Sequence, residues 1–436
     1  MKLESFVSDR IAITPTGPVQ GRIQPPGSKS ITNRALVCAA LASGTSTLTG
    51  ALESEDTEVM IESLRRLGIE VKASADGTTL EVQGCSGQIP AQSADLFVGN
   101  SGTTVRFLTA LVALGSGHYR LDGVARMRER PIGDLLAALA TFGVEATSEA
   151  NNNCPPVLVQ APGIPGGKAL VRGDISSQFL SGILLAAPYA RTPVELEVTG
   201  ELVSKPYVEM TLAVMRAFGA EVKNDELSRF LIPAPQVYRA QNYAIEPDAS
   251  AASYFWATAA ITGGRVTVLG LRRSALQGDV AFCELLARMG CTVEESSEGL
   301  TVTGGSLRGI EANMNAISDT VQTLAVVALF AQGPTTITGV GHIRHKETDR
   351  IGDLARELRK LGAQVDELPD GLRITPAPLH GATLATYKDH RMAMSLALAG
   401  LRVAGIEILD PACTAKTYPN FFRDLARLCG TPAPPG

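Results

Sequence analysis

One pattern, written six times, limits what this chain can fold into. A polar cluster opens a small-residue apolar helix at SKSITNRALVCAALASG, NSGTTVRFLTALVALGSG, SSQFLSGILLAAPYA, PDASAASYFWATAAITGG, SDTVQTLAVVALFAQG and DHRMAMSLALAGLRVAG. With Ser30, Ser101, Ser176, Asp248, Asp319 and Asp389 as approximate starts, the steps are 71, 75, 72, 71 and 70 residues. A constant interval of that length marks a repeated structural unit. Each helix is followed by a strand-like run and a polar loop, as in STLTGALESED and TTITGVGHIRHKETDR. A second, more amphipathic helix then ends near glycine, as in IESLRRLG and LARELRKLG, and strand patterns such as TTLEVQG and GLRITPA often follow. The periodicity predicts helix, strand, helix, strands in every unit, hence an α/β chain.

The first helices are rich in Ala and Leu nearly all round, which predicts burial by neighbours on every side, whereas the second helices carry a charged face. Three units of roughly 70 residues make a domain of ordinary size, so two lobes of three repeats are expected. The link between them is placed near AQNYAIEPDAS, with a second crossing near Gly27 if the N-terminal strand joins the other lobe. One lobe then comprises residues 1–26 plus 247–436, and the other residues 27–246.

The totals exclude several classes. The 436 residues are 45% hydrophobic, enough for substantial cores. A net charge of −5 argues against general nucleic-acid binding. Seven scattered cysteines without a Cys-x-x-Cys pair point to reduced, mostly buried thiols in a cytoplasmic protein, and not to a disulfide frame or zinc site. The N-terminus MKLESFVSDRIAITPTG has no apolar core of a signal peptide, and no apolar run approaches membrane-spanning length. The proline-rich end TPAPPG is expected to be disordered.

Chemistry collects at the helix starts. PPGSKSITNRAL lacks the glycine offset of a nucleotide loop, but Ser28 or Ser30 is suited to cap a helix whose free N–H groups favour an anion. Parallel buried helices aim such ends in one direction, and the two lobes are expected to face each other across a cleft. Each end is worth only ~0.3–2 kcal/mol to an anion, so cations are needed as well. The adjoining loops supply Lys29, Arg34, Arg106, Arg126, Arg128, Arg130, Lys205, Arg344, Lys346, Arg350, Arg391 and Lys416. Any one of them reads equally as a solvated charge; the repeated location is what the solvated reading leaves unexplained. Among the carboxylates, Asp319 and Glu347 are the candidates for proton transfer. Asp349 and Asp389 read better as ion-pair partners, and His390 stands between structure and function. The five histidines form no metal constellation and no Gly-x-Gly-x-x-Gly follows a strand. The pattern describes a site for small phosphorylated or carboxylated molecules.

The segments PPGSKSITNRAL, GNSGTTVRFL, RMRERPI, GDISSQFLSGIL, VSKPYVEMT, KETDRI, YKDHRMAM and DPACTAKTYPNF together resemble the 5-enolpyruvylshikimate-3-phosphate (EPSP) synthase family, from about Thr14 to Phe422. The resemblance implies an inside-out α/β barrel in two lobes, each of three βαβαββ repeats. It implies transfer of the enolpyruvyl group of phosphoenolpyruvate to the 5-hydroxyl of shikimate 3-phosphate, releasing phosphate, in the shikimate pathway of aromatic amino-acid biosynthesis. Neither a metal nor an organic cofactor is implied. Glyphosate is the implied inhibitor, and a monomer without nucleic-acid or membrane partners is expected.

Carried over by motif, the phosphoenolpyruvate set is Lys29, Asn100, Gly102, Thr103, Arg126, Gln178, Arg350, Arg391 and Lys416. The shikimate 3-phosphate set is Lys29, Ser30, Arg34, Ser176, Ser177, Gln178, Ser204, Tyr207, Asp319, His342 and Lys346. The same resemblance gives Glu347 the C3 proton of phosphoenolpyruvate, Asp319 the hydroxyl proton and Lys29 the departing phosphate, with His390 in support. Two positions depart from the family pattern: His342 stands where many members have Asn, and Phe107 where many have Pro, behind the expected phosphoenolpyruvate pocket. Phe107 is therefore expected to shift Gly102 and Thr103 and to bear on glyphosate sensitivity. Three rival readings stand beside this one, and a purely structural repeat protein leaves the cations at one end of the units unexplained. The sister enzyme acting on UDP-N-acetylglucosamine typically carries a loop cysteine, which VARMRERPIGD lacks. A six-repeat DNA clamp needs basic inner helices, and these are Ala/Leu-rich.

Overall fold

In the computed structural model, which describes residues 9–432, all six recurring stretches contain a helix. They are Lys29–Leu41, Gly102–Val112, Ser177–Ala186, Ala249–Thr262, Val321–Ala328 and His390–Ala399. Five begin on a side-chain cap, from Ser28, Ser101, Ser176, Asp248 and Asp389. Ser28, not Ser30, caps the first, accepting from the Ile31 N–H. The fifth differs: a short 3-10 helix, Asn315–Thr320, kinked at Ile317, precedes it, and neither start has a side-chain cap on its N-cap residue. Burial follows the composition. Every residue of Ala249–Thr262 is buried, and every residue of Lys29–Leu41 except Ser30.

Small side chains let these helices touch. A Cβ on Gly182 would sit 2.8 Å from the Arg106 carbonyl oxygen, so the second and third helices meet at backbone distance. In the fourth to sixth repeats, Ser253 Oγ lies 3.0 Å from Thr323 Oγ1, which lies 3.4 Å from Ser395 Oγ. Three buried helices thus share a string of hydroxyls, each polar atom finding a partner in an apolar interior.

The sheets repeat with the helices. In the second repeat Ser93–Phe97 runs parallel to His118–Asp122, followed antiparallel by Val157–Gln160 and Glu145–Ser148. The same order recurs in Gly167–Arg172, Val194–Thr199, Arg229–Ile232 and Lys223–Asp225. It recurs again in Glu311–Asn313, Thr335–Thr338, Gly371–Thr375 and Gln364–Leu368. The other repeats borrow strands from far along the chain. Asn242–Ala244 opens the first repeat's sheet, parallel to Thr45–Thr49. Gln20–Ile23 opens the fourth, parallel to Arg265–Leu269. Arg10–Ile13 joins the sixth, antiparallel to Ile406–Leu409. This is the α/β, βαβαββ repeat of an inside-out barrel, helices within and sheets without, although no sheet among the described residues closes on itself.

Contacts divide the chain into two compact units, Gly27–Ile245 and the chain before Gly27 together with everything from Glu246. Each has its own apolar core. At the first boundary a Cβ on Gly27 would fall 1.8 Å from the Gly50 carbonyl oxygen, so only glycine fits there. None of the seven cysteines is in a disulfide; three are buried and four half-buried, so the expectation of mostly buried thiols is only partly met. No helix among the described residues is long and apolar enough to cross a membrane. Of TPAPPG, residues 433–436 lie outside the described residues, as do residues 1–8.

Trp256 is the chain's one tryptophan. It is fully buried, and its indole N–H donates to the Leu300 carbonyl at 3.2 Å. Trp256→Phe leaves that carbonyl short of a donor and opens a void, with an expected loss of about 1–3 kcal/mol. Urea unfolding followed by circular dichroism checks this; an unchanged midpoint contradicts it.

Candidate active site

In the unit that starts at Glu246, the kinked fifth helix start is where charge gathers. The Asp319 carboxylate there is met by three cationic side chains from other segments. Lys346 Nζ lies 2.6 Å from Asp319 Oδ1, Arg350 Nη1 3.3 Å from the same oxygen, and Arg391 Nη2 2.8 Å from Oδ2. Arg391 Nη1 also donates to the Asp319 carbonyl at 3.1 Å. Arg350 is fully buried and donates through Nε to Asp389 at 2.7 Å and pairs through Nη2 with Glu347 at 2.8 Å. Lys416 Nζ stands 3.6 Å from the other Glu347 oxygen.

Four cations (Lys346, Arg350, Arg391, Lys416) therefore meet three carboxylates (Asp319, Glu347, Asp389), which leaves one positive charge in excess. Burial works against the Arg350 charge, but Asp389, Glu347 and Asp319 outweigh it and hold its pKa above the usual value. Lys346 goes the other way, lowered by burial, with Arg350 adding to the effect and Asp319 opposing it. A buried cluster with surplus positive charge is a place for an anion.

His390 and His342 both belong to this neighbourhood as neutral groups. Burial, and then the Arg391 charge, push His390 well below the usual histidine pKa, and neither ring nitrogen has a hydrogen-bond partner. His342 is lowered to about 3 by burial and by Lys346, and its Nε2 lies 3.1 Å from Ser318 Oγ. Asp389 caps the sixth helix, accepting from the Arg391 N–H at 2.8 Å, while Asp349 takes the N–H groups of Ile351 and Gly352 and pairs with Arg344. Both hold structure as well as charge.

In the unit Gly27–Ile245 a second group sits at the helix starts. Lys29 Nζ lies 3.4 Å from Asp56, and both are buried. Arg34 is buried with its fork spent on neutral partners: Nε donates to Thr211 Oγ1 (2.7 Å), Nη1 to the Ser30 carbonyl (2.8 Å) and Nη2 to the Tyr207 carbonyl (3.0 Å). Burial lowers its pKa to about 10. Ser204, at φ 55°, precedes the helix Lys205–Ala217, and Tyr207 donates its N–H to the Ser204 carbonyl. Ser176 caps its helix through the Gln178 N–H, with Ser177 buried beside it. The Gln178 side chain accepts from Arg106 at 2.7 Å and reaches Thr103 Oγ1 at 3.4 Å.

A model of the EPSP synthase (3-phosphoshikimate 1-carboxyvinyltransferase) family matches residues 13–425. The chain belongs to the EPSP synthase family. It is 51% identical over 406 residues to the 3-phosphoshikimate 1-carboxyvinyltransferase of Nostoc punctiforme, covering 93% of this chain and 95% of that one. To the enzyme of the same name from Trichormus variabilis it is 48% identical over 424 residues, covering 97% and 100%. A solved EPSP synthase from Acinetobacter baumannii superposes with a TM-score of 0.80 at 27% identity, over 96% of this chain and 97% of that one. The enolpyruvyl transferase NikO from Streptomyces tendae, at 22% identity and a TM-score of 0.77, shares the fold over 95% and 96% of the two chains.

The resemblance assigns Arg126 to phosphoenolpyruvate; the guanidinium found against Asn100 and Gly102 is that of Arg130. Arg130 Nη1 donates to the Asn100 carbonyl at 2.8 Å and to its side-chain oxygen at 3.2 Å. Arg126 pairs with Glu129 at 2.7 Å and is a third exposed. A cue was present in RMRERPI: the residue before a proline is held extended, and Arg130, before Pro131, leaves the turn at φ −86°, ψ 130°. A Cβ on Gly102 would lie 2.4 Å from Arg130 and 2.8 Å from Arg106, so glycine there is what lets two guanidinium groups close over the backbone. Asp56 was also missed; nothing in its local sequence marks it as the partner of Lys29.

The two neutral histidines, His390 buried and His342 half-buried, fix a pH response. Each is neutral when folded and takes up a proton near 6.5 once unfolded, so stability is complete above about pH 6.5 and falls as the pH drops toward 3. Urea midpoints measured between pH 7 and 4 should decline, and His342→Asn should flatten the slope by about one proton. A variant with the parental slope would place His342 outside this account.

Proposed function

We propose that these groups divide the EPSP synthase reaction between them. As a member of that family the chain moves the enolpyruvyl group of phosphoenolpyruvate to the 5-hydroxyl of shikimate 3-phosphate and releases phosphate. The observation that carries the assignment of roles is the double partnership of Asp319. Its carboxylate holds Lys346, assigned to shikimate 3-phosphate, at 2.6 Å and Arg391, assigned to phosphoenolpyruvate, at 2.8 Å. A base held between the two sets of ligands is placed to take the proton of the attacking hydroxyl. Glu347 touches Arg350 and Lys416, both assigned to phosphoenolpyruvate, and so serves the carbon end of that substrate.

The steps follow from the charges. The carboxylate and phosphate of phosphoenolpyruvate draw Arg350 and Lys416 away from Glu347, removing what favours its ionised form, and a protonated Glu347 passes its proton to C3. The 5-hydroxyl oxygen bonds to C2 as its proton goes to Asp319. Glu347 then takes a proton back from C3, the double bond re-forms, and the C2–O bond to phosphate breaks, with Lys29 balancing the charge of the leaving group. His390, neutral, contributes a hydrogen bond and no charge. Phosphoenolpyruvate is assigned to Lys29, Asn100, Gly102, Thr103, Gln178, Arg350, Arg391 and Lys416, with Arg130 taking the place of Arg126. Shikimate 3-phosphate keeps its set, with His342 as a neutral hydrogen-bonding ring where many relatives have an amide. Inhibition by glyphosate, a cytoplasmic location and a monomeric state belong to the same reading.

A phosphate-release assay with both substrates tests the reaction; release that depends on UDP-N-acetylglucosamine in place of shikimate 3-phosphate would overturn it. Glu347→Gln should lower kcat by about 10²–10⁴-fold while shikimate 3-phosphate binding, measured by calorimetry, holds within about threefold. Arg130→Ala should raise the KM for phosphoenolpyruvate by about tenfold or more, the worth of a charge-assisted pair, and Arg126→Ala by much less. The reverse order returns the role to Arg126.

A further inference from the structure

Phe107 has a partner beyond its own helix. Its ring is buried, and the Arg34 guanidinium carbon stands 5.2 Å from the ring centroid. Arg34 lies on Lys29–Leu41 and Phe107 on Gly102–Val112, so the stack joins the first two buried helices. All three Arg34 nitrogens are engaged in the plane of the fork, with Thr211, Ser30 and Tyr207, and none of these partners is charged. No carboxylate pairs with this buried cation among the described residues. The negative face of an aromatic ring is the remaining electrostatic partner, and it takes the flat side that the in-plane hydrogen bonds leave open. Arg106, the residue before Phe107, repeats the device: its guanidinium lies 5.2 Å from the Phe179 ring while its edge bonds Gln178 and Pro131.

We infer that Phe107 and Arg34 form a positioning pair for the acceptor substrate: the ring fixes the guanidinium, and the guanidinium fixes the backbone at Ser30 and Tyr207, two residues assigned to shikimate 3-phosphate. Phe107 does this without touching the substrate, acting through Arg34, which is itself assigned to shikimate 3-phosphate. The inference rests on that assignment of Ser30 and Tyr207. It also changes what the exchange of proline for phenylalanine means, since the consequence falls on the acceptor and not on the phosphoenolpyruvate residues Gly102 and Thr103.

The test is steady-state kinetics on the full chain with each substrate varied. Phe107→Leu, which keeps an apolar filling but no ring face, should raise the KM for shikimate 3-phosphate three- to tenfold and that for phosphoenolpyruvate less than twofold. Phe107→Met serves if the leucine variant does not fold. Arg34→Lys, which loses the fork, should raise the same KM at least as much, and adding Phe107→Leu to it should cause little further change, because the two act as one unit. A rise confined to the phosphoenolpyruvate KM, or independent effects in the double variant, overturns the inference. Ser30→Ala separates the two levels: if it leaves the shikimate 3-phosphate KM unchanged, the site assignment itself fails and the positioning role falls with it.

Discussion

A helix surrounded on every side can offer chemistry only at its ends, and that constraint governs both units of this protein. Ala249–Thr262 has no exposed residue, and Lys29–Leu41 has only Ser30 outside the buried class. Their flanks are given over to packing at distances that admit glycine and small hydroxyls, as at Gly182 and along Ser253, Thr323 and Ser395. The polar residues are thereby driven to the first turns, where unpaired N–H groups already favour negative charge.

Once the ends are the site, small differences between them decide what each does. Five starts commit a side chain to the backbone as a cap; the fifth, kinked at Ile317, does not. Beside that irregularity Asp319 gathers Lys346, Arg350 and Arg391. The neighbouring Asp389 shows the alternative, holding Arg350 with its side chain while also capping its own helix.

The period, the two helix types and the clustering of cations at helix starts were legible in the sequence, because each depends on residues close together in the chain. Three features were not. The strands Arg10–Ile13, Gln20–Ile23 and Asn242–Ala244 complete sheets built elsewhere, and such pairings leave no local signal. The choice among the arginines of RMRERPI turned on which one the chain direction before Pro131 aims at Asn100. The partner of Phe107 was hidden because it lies on another helix, 73 residues earlier at Arg34. Motifs mark segments, and geometry was needed to say which atom of each segment meets which.

The borrowed strands also set an order of events during synthesis. Gln20 pairs with Arg265, 245 residues later, so the strand Gln20–Ile23 leaves the ribosome long before its neighbour exists. At ordinary elongation rates of about 5–20 residues per second, that interval lasts roughly 12–50 seconds. In that time all of Gly27–Ile245 emerges, including Asn242–Ala244, the strand that finishes its own first sheet. The unit Gly27–Ile245 is thus complete while the other is still missing most of its chain. The N-terminal strands must wait with an unpaired edge, a hazard for any nascent chain, until the segment that follows Glu246 arrives to cover them.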